Sequence, residues 1–111
     1  MRHALHRLLV TMGFAVASYG SAEAFLRRGD PWTFGCLLVD FHLGGMNGAQ
    51  LAEVLSRAGL RVPVIFMSAA ADAVPMVRRK MGRDAVVLRK PVDANQLWSA
   101  LVAATSERRM P

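Results

Sequence analysis

Apolar and polar positions along this chain follow two alternating periods. Leu5, Leu8, Leu9 and Met12 are spaced three to four residues apart, which predicts an amphipathic helix over residues 2–12. Further helices are predicted over 22–28 with Ser21 as cap, over a segment that ends at Gly59, from about Val74, and after the cap Asp93. Short apolar runs between them predict strands over 14–17, 36–39, 64–67 and 85–88. Strands that alternate with helices at this spacing predict an α/β fold with a parallel sheet.

Three chemically capable side chains follow the predicted strands. Asp40 follows the run at 36–39, Ser68 follows the run at 64–67, and Lys90 comes shortly after the last strand. Ligands of open α/β sheets bind outside the carboxyl ends of the strands, so an acid, a hydroxyl and an amine are predicted to converge on one edge. Each residue alone is explained by a turn, a loop or a surface charge, whereas three at successive strand ends favour a functional site.

Length and composition favour a small globular domain. The chain has 111 residues, of which 53% are hydrophobic, enough for one domain with a core. Its apolar runs are far shorter than the roughly 20 residues of a membrane-spanning helix. The single cysteine, Cys36, excludes an internal disulfide. We therefore expect a cytoplasmic protein with no membrane partner.

The formal net charge of +6 raises the question of a nucleic-acid partner. The basic residues are spread along the chain, and they form a local cluster only at Arg78, Arg79, Lys80 and Arg83. Aromatic residues that could stack on bases are not interleaved with them. The charge is typical of a solvated surface, and no direct contact with nucleic acid is expected.

The chain resembles a receiver domain of a two-component response regulator, of the kind found in nitrogen-fixation and nodulation regulators. The resemblance extends from Arg2 to about Val102 and implies a flavodoxin-like three-layer sandwich, with the receiver over 1–105 and a short tail over 106–111. The matching motifs are Leu37-Leu38-Val39-Asp40 followed by Gly48, Phe66-Met67-Ser68, Lys90-Pro91, and the segments 13–16 and 21–26.

The resemblance implies a phosphorylation switch and not an enzyme. Asp40 would accept a phosphoryl group from a histidine kinase or phosphotransfer protein. Lys90 would pair with one phosphate oxygen, and Ser68 would hydrogen-bond another. Pro91 would follow a cis peptide bond. The signal would pass to an unknown output protein through protein contacts.

The resemblance also implies a Mg²⁺ cofactor, for which the chain lacks most of the ligands. Asp40 and the main-chain carbonyl of His42 would contribute to the site. The family's pair of adjacent acidic residues at the end of a first strand is missing, since no acidic residue precedes Glu23. That strand would lie inside the sheet, so we expect a gap there and, if the protein starts at Met1, poor solubility. Two explanations stay open: the protein starts upstream of Met1, or it is a degenerate receiver.

Smaller departures affect how such a switch would work. Gly44 stands where the family commonly has proline, which predicts a more mobile loop. Val87 replaces the aromatic residue that usually turns inward on activation, so switching would depend on the Ser68 loop. Leu88 cannot substitute for Val87, because alternation along the strand puts it on the opposite face.

The sequence also predicts an output surface and leaves other functions open. The surface is the last helix–strand–helix face, with Arg78, Arg79, Arg83, Val87 and Trp98. The main alternative is a degenerate pseudo-receiver that binds its partner independently of phosphorylation. A nucleotide-binding enzyme is weakly supported, because Gly44-Gly45 matches no phosphate-binding pattern. A nucleic-acid binder would show a steep salt dependence of its affinity.

Overall fold

A computed structural model describes residues 2–28, 35–41, 46–59 and 62–109. Helices and strands alternate along most of the chain, as the apolar pattern predicts. In chain order the elements are α1 (Arg2–Thr11), α2 (Ala22–Arg28), β1 (Leu37–Asp40), α3 (Gly48–Arg57), β2 (Val64–Ser68), α4 (Ala73–Met81), β3 (Val86–Arg89) and α5 (Ala94–Arg109). No helix in the described ranges combines the length and the apolar character needed to cross a bilayer.

The described strands form one parallel sheet in the order β1-β2-β3. Leu37 of β1 is opposite Val64 of β2, and Ile65 of β2 is opposite Val86 of β3. Successive side chains point to opposite faces of a strand, so the apolar run of β2 supplies both faces. The sheet is therefore covered by helices on both sides, which confirms the α/β sandwich predicted from the sequence.

Two apolar clusters fill the spaces between the sheet and its helices. One face packs against α2, α3 and α4, and the other packs against α1 and α5. The first cluster contains Ala22, Phe25, Leu37, Val39, Phe41, Leu51, Leu55, Val62, Phe66 and Val77. The second contains Leu9, Ile65, Met67, Leu88, Leu97 and Leu101. β2 contributes to both clusters and so holds the three layers together.

Local signals in the sequence set the helix boundaries. The Ser21 hydroxyl accepts a hydrogen bond from the Ala24 N–H at 3.0 Å, which confirms the predicted cap of α2. Asn47 and Gln50 form a reciprocal capping box at the start of α3. The Asp93 carboxylate accepts from the Asn95 N–H at 2.8 Å at the start of α5. Gly59 ends the α3 turn with a φ of +81°, a conformation that favours glycine.

The predicted strand over residues 14–17 is wrong. These residues have no regular secondary structure, although Phe14 and Val16 are half-buried while Ala15 and Ala17 are exposed. The period-two burial is typical of a strand, but a strand also requires a hydrogen-bonded neighbour. Within the described chain no strand pairs with this segment. The extended segment is therefore positioned by its apolar side chains.

Two residues of the helix that ends near Gly59 are exposed although their spacing predicts that they face inward. Helical spacing puts Val54 on the apolar face, yet it is 40% exposed, because Leu51 and Leu55 alone form the buried stripe of α3. Ala58, expected to be inward as well, is exposed in the turn that follows Arg57. At the other end of the chain, α5 continues to Arg109, and the domain limit at residue 105 stays a prediction.

A cavity lies beside β1, where the sequence analysis predicts a gap in the sheet. We call it the edge slot, the cavity of about 460 Å³ between the segment 14–20 and the outer edge of β1. Leu5 and Leu9 of α1 line one side of the edge slot, and Phe25 of α2 lines another. Asp40 lies at its carboxyl end.

Candidate functional site

Asp40 is held at the carboxyl end of β1 by the residue that follows it. The Phe41 N–H donates to the Met67 carbonyl at 2.8 Å, and the Phe41 carbonyl accepts from the Gly48 N–H at 3.2 Å. The Phe41 ring is buried and packs edge-on against Phe66, with ring centroids 5.6 Å apart. Phe41 thus fixes where the Asp40 backbone leaves the sheet.

Lys90 forms an ion pair with Asp40. Its Nζ donates a hydrogen bond to Asp40 Oδ2. The two side chains are 20% and 28% exposed, so water reaches the pair from one side only. The Lys90 N–H donates to the Ser68 carbonyl at 2.9 Å, and the Lys90-Pro91 peptide bond is cis, as the resemblance implied. The predicted meeting of the acid and the amine at one sheet edge is confirmed.

Ser68 lies at the same edge but is fully buried. Its carbonyl is the group that binds Lys90, whereas its hydroxyl oxygen accepts from the Ala70 N–H at 3.2 Å. The hydroxyl therefore closes a tight turn at the end of β2. A role on a ligand at Asp40 would require the turn over residues 68–70 to rearrange.

Gly48 fits a position with no room for a side chain. A Cβ at this residue would lie 3.1 Å from Phe41 Cα, 3.2 Å from Val39 Cγ1 and 3.3 Å from Phe66 Cδ1. One of these three contacts is backbone and another belongs to a buried ring, so neither yields easily. The first residue of α3 is therefore in direct contact with the residue that follows Asp40.

We expect Gly48→Ala to lower the free energy of unfolding by about 1–3 kcal/mol, as overpacking in a core does. Helix propensity acts the other way, because alanine is favoured over glycine in helices. Urea denaturation measures the difference. Gly35→Ala is the control, since its Cβ would meet only Thr105 Cγ2 at 3.9 Å, and it should change stability by less than about 0.5 kcal/mol. A Gly48→Ala protein as stable as the parent would contradict the packing.

The structure does not support a Mg²⁺ site among the described residues. No group of three or more His, Cys, Asp or Glu side chains is placed to hold a metal in those ranges. Asp40 is the carboxylate at this edge, and its Oδ2 is bound by Lys90. Mg²⁺ prefers several oxygen ligands in near-octahedral geometry. His42, predicted to offer its carbonyl, and Gly44, predicted to loosen the loop, lie outside the described residues.

One contact that positions the site could not be found from sequence patterns. Glu23 of α2 accepts a hydrogen bond from the Met46 N–H through Oε2 at 3.1 Å. This hydrogen bond lowers the pKa of the Glu23 carboxyl. Its place in the first turn of α2 predicts only that Glu23 complements the helix dipole, because its hydrogen-bond partner is 23 residues away in sequence. The contact links α2 to the chain that connects Asp40 with α3.

Strand β3 and helix α5 carry apolar residues that are exposed to solvent. Val87 is half-buried against the first cluster and Leu88 is buried in the second, so the predicted alternation is correct. Trp98 on α5 is 47% exposed, and its ring lies 6.0 Å from that of Phe14. Val86 and Val102 are 40% and 42% exposed. Arg78 and Arg79 of α4 are exposed as well.

The chain belongs to the response regulator receiver domain family, whose model matches residues 1–102. It is 36% identical over 110 residues to Nodulation protein W of Bradyrhizobium diazoefficiens, covering 98% of this chain and 48% of that protein. It is 34% identical to the transcriptional regulatory protein FixJ of Azorhizobium caulinodans, covering 94% of this chain and 49% of that protein. The resemblance to nitrogen-fixation and nodulation regulators is thereby confirmed.

Solved structures agree with this assignment. The response regulator StyR superimposes with a TM-score of 0.85 at 34% identity, covering 98% of this chain and 57% of that one. Full-length FixJ from B. japonicum gives a TM-score of 0.86 at 28% identity, covering 98% and 54%. The protein is therefore a receiver domain of two-component signalling with a flavodoxin-like fold. It spans about half the length of the curated relatives that it matches.

Proposed function

We propose that Asp40 accepts a phosphoryl group in a phosphorelay. An Asp40 carboxylate oxygen attacks the phosphorus of a phosphohistidine, the O–P bond forms, and the P–N bond breaks. The imidazole of the donor leaves and takes up a proton. The observation that carries the proposal is the Asp40–Lys90 ion pair at the carboxyl ends of the strands of a receiver fold.

Lys90 is the cation that stabilises the transferred group. Phosphoryl transfer depends on positioning and on neutralising charge at the phosphoryl oxygens. The ammonium group already contacts Asp40 Oδ2, so it lies beside the atom on which the new phosphoryl group is built.

Ser68 would couple phosphorylation of Asp40 to a movement of the backbone. Its hydroxyl must leave the Ala70 N–H to reach a phosphoryl oxygen, and this movement would draw the turn over 68–70 toward Asp40. Helix α4 begins at Ala73, five residues after Ser68, so displacement of the turn reaches α4 directly. We propose that this turn, and not a rotation of Val87, carries the switch.

The partners follow from the same surfaces. A histidine kinase or phosphotransfer protein delivers the phosphoryl group at the edge that holds Asp40. An output protein binds the face of α4, β3 and α5, elements that carry exposed arginines on α4 and exposed apolar residues on β3 and α5. The protein acts as a signalling domain rather than as an enzyme that turns over a substrate.

The decisive experiment is phosphorylation with a small phosphodonor. Acetyl phosphate with Mg²⁺ should add one phosphoryl group, seen as a single mass increment in intact-protein mass spectrometry. Hydroxylamine should remove it, because an acyl phosphate is labile to this nucleophile. A protein that gains no mass, yet binds its output partner equally with and without phosphodonor, is instead a pseudo-receiver, the main alternative.

We expect Lys90→Met to slow phosphoryl transfer by about a hundredfold, the usual effect of removing one group that stabilises charge in a transition state. Methionine keeps the length of the side chain and removes its charge. The initial rate of mass gain with acetyl phosphate measures the effect. Lys80→Met, which removes an exposed charge from α4, is the matched control and should react at the parental rate. Equal rates for the two variants would remove Lys90 from the mechanism.

A further inference from the structure

The Glu23 carboxylate has two oxygen atoms in different environments. Its Oε2 accepts a hydrogen bond from the Met46 N–H at 3.1 Å, whereas its Oε1 is buried and no described residue donates to it. Burying a carboxylate oxygen without a partner costs free energy. A helix dipole gains as much from an exposed acid, so the dipole of α2 does not explain why this oxygen is buried. The contact with Met46 is the feature that requires an acceptor at this position.

Helix α2 holds this carboxylate in a fixed place. Ala22 and Phe25, which flank Glu23 on the helix, are buried in the first cluster. The Phe25 ring packs edge-on against Tyr19, with centroids 5.3 Å apart, and the Ser21 hydroxyl caps the helix. A polar group on a packed element positions its partner more precisely than a group on a loop does. Glu23 is therefore suited to anchor the chain that it contacts.

The anchored chain is the connection between β1 and α3. The Gly48 N–H donates to the Phe41 carbonyl at 3.2 Å, so the two ends of this connection are bound to each other. That bond stays within the segment 41–48, whereas the hydrogen bond of Met46 reaches a separate helix. The connection is thus closed at its ends and is also tied to α2 through Glu23.

We propose that Glu23 is a positioning residue for the phosphorylation of Asp40, because its hydrogen bond to Met46 holds the chain that leaves Asp40. This inference rests on the proposed role of Asp40 as the acceptor. Phosphoryl transfer depends on the alignment of donor and acceptor, and a displacement caused far from the reacting atoms lowers its rate. Met46 lies six residues after Asp40, so the anchor limits the freedom of the chain beside the reacting carboxylate.

An ionised carboxylate suits the role of an anchor. The hydrogen bond from the Met46 N–H lowers the pKa of the Glu23 carboxyl, and Arg27, one helical turn further on, lowers it as well. Glu23 is therefore ionised at neutral pH. A hydrogen bond to an ionised acceptor is roughly twice as strong as one between neutral groups. The charge thus strengthens the hold on the backbone of Met46.

Two substitutions of Glu23 test the hydrogen bond. Glu23→Ala removes the acceptor, whereas Glu23→Gln keeps an oxygen that can accept from the Met46 N–H. We expect phosphorylation by acetyl phosphate with Mg²⁺ to be about tenfold slower in Glu23→Ala and to stay within about twofold of the parental rate in Glu23→Gln. Initial rates are measured at 10 °C on protein that circular dichroism shows to be folded. The maximal rate should fall while the half-saturating concentration of acetyl phosphate stays the same, since donor binding is not changed.

Glu53→Ala is the matched control. Glu53 is an exposed acid on α3 that pairs with Arg57, so the variant removes the same charge without touching Met46. It should be phosphorylated at the parental rate. If Glu23→Ala does not fold, Glu23→Met takes its place, because methionine keeps the length of the side chain and removes both oxygens.

Hydrogen exchange of the Met46 N–H, followed by NMR, gives a readout that does not involve phosphorylation. We expect it to be about tenfold faster in Glu23→Ala than in the parent, the effect of losing a hydrogen bond to a charged group. It should be unchanged in Glu53→Ala. A general loss of stability would instead speed the exchange of core amides, such as that of Leu97, by the same factor.

Slower phosphorylation and faster Met46 exchange in Glu23→Ala, both restored in Glu23→Gln, support the proposal. A Glu23→Ala protein that reacts at the parental rate overturns it, and so does an equal loss of rate in Glu53→Ala or in Glu23→Gln. These outcomes require a parent that is phosphorylated, and they leave the role of Asp40 in place. A parent that gains no phosphoryl group overturns the proposed function, and the role of Glu23 then fails with it.

Discussion

Asp40→Asn is expected to abolish phosphorylation by acetyl phosphate, with the mass gain falling to the background of an untreated sample. An amide oxygen is a poor nucleophile and forms no stable acyl phosphate, so the loss is complete rather than partial. Asparagine keeps the shape of aspartate, and the site is partly open to water, so the fold should persist. Intact-protein mass spectrometry over a time course of phosphodonor treatment measures the result.

The matched control for this variant is Asp84→Asn, which changes an exposed aspartate in the turn before β3. It removes the same charge from the protein without touching the edge that holds Lys90. The control should gain one phosphoryl group at the parental rate. If Asp40→Asn gains mass as fast as the control does, the acceptor is another residue and the proposed phosphorylation site is wrong.

Leu97→Ala is expected to lower the free energy of unfolding by about 2–5 kcal/mol. Leu97 is completely buried in the second cluster, where α5 packs on the sheet. Truncation loses its transfer free energy and leaves a cavity that the rigid sheet cannot fill. A loss of this size should lower Tm by roughly 10 °C or more in a domain of about 100 residues. Differential scanning calorimetry measures the change.

Two further variants show whether the effect comes from packing. Leu97→Met conserves most of the side-chain volume and should cost less than about 1.5 kcal/mol. Val102→Ala, on the same helix, changes a side chain that is 42% exposed and should shift stability by less than about 0.5 kcal/mol. Similar losses for Leu97→Ala and Val102→Ala would show that α5 is not packed on the sheet as described.

Much of the fold and part of the site follow from local sequence patterns. The continuous apolar runs around Val39 and Phe66 predict strands buried on both faces, and the strand ends then bring Asp40 and Lys90 together. A helix cap such as Ser21 binds a backbone N–H three residues away, so it can also be recognised from the sequence. The strands and caps are predictable because each depends on neighbours close in sequence, and the parallel sheet then brings the strand ends to one edge.

Most of the remaining features depend on residues that are distant in sequence, and local sequence patterns do not predict them. Whether residues 14–17 form a strand depends on a hydrogen-bonded partner, which the burial pattern of the segment does not reveal. Val54 has the spacing of an apolar helical stripe, yet it is exposed and only Leu51 and Leu55 of that stripe are buried. The contact of Gly48 with Phe41 could have been suspected, since the apolar run of β1 continues past Asp40 and a glycine soon follows. The Glu23–Met46 hydrogen bond left no such signal.

Two consecutive carbonyls of β2 determine the distance between the acid and the amine. The Met67 carbonyl holds the residue after Asp40, and the next carbonyl, that of Ser68, holds Lys90. A slip of β2 by one residue would turn each carbonyl to the wrong neighbour and separate the pair. Asp40 and Lys90 therefore meet only in molecules with the native strand register. With Asp40 as the proposed phosphoryl acceptor, a kinase would not phosphorylate misfolded or partly folded chains. The phosphorylated fraction of a preparation would then measure its fraction of correctly folded molecules.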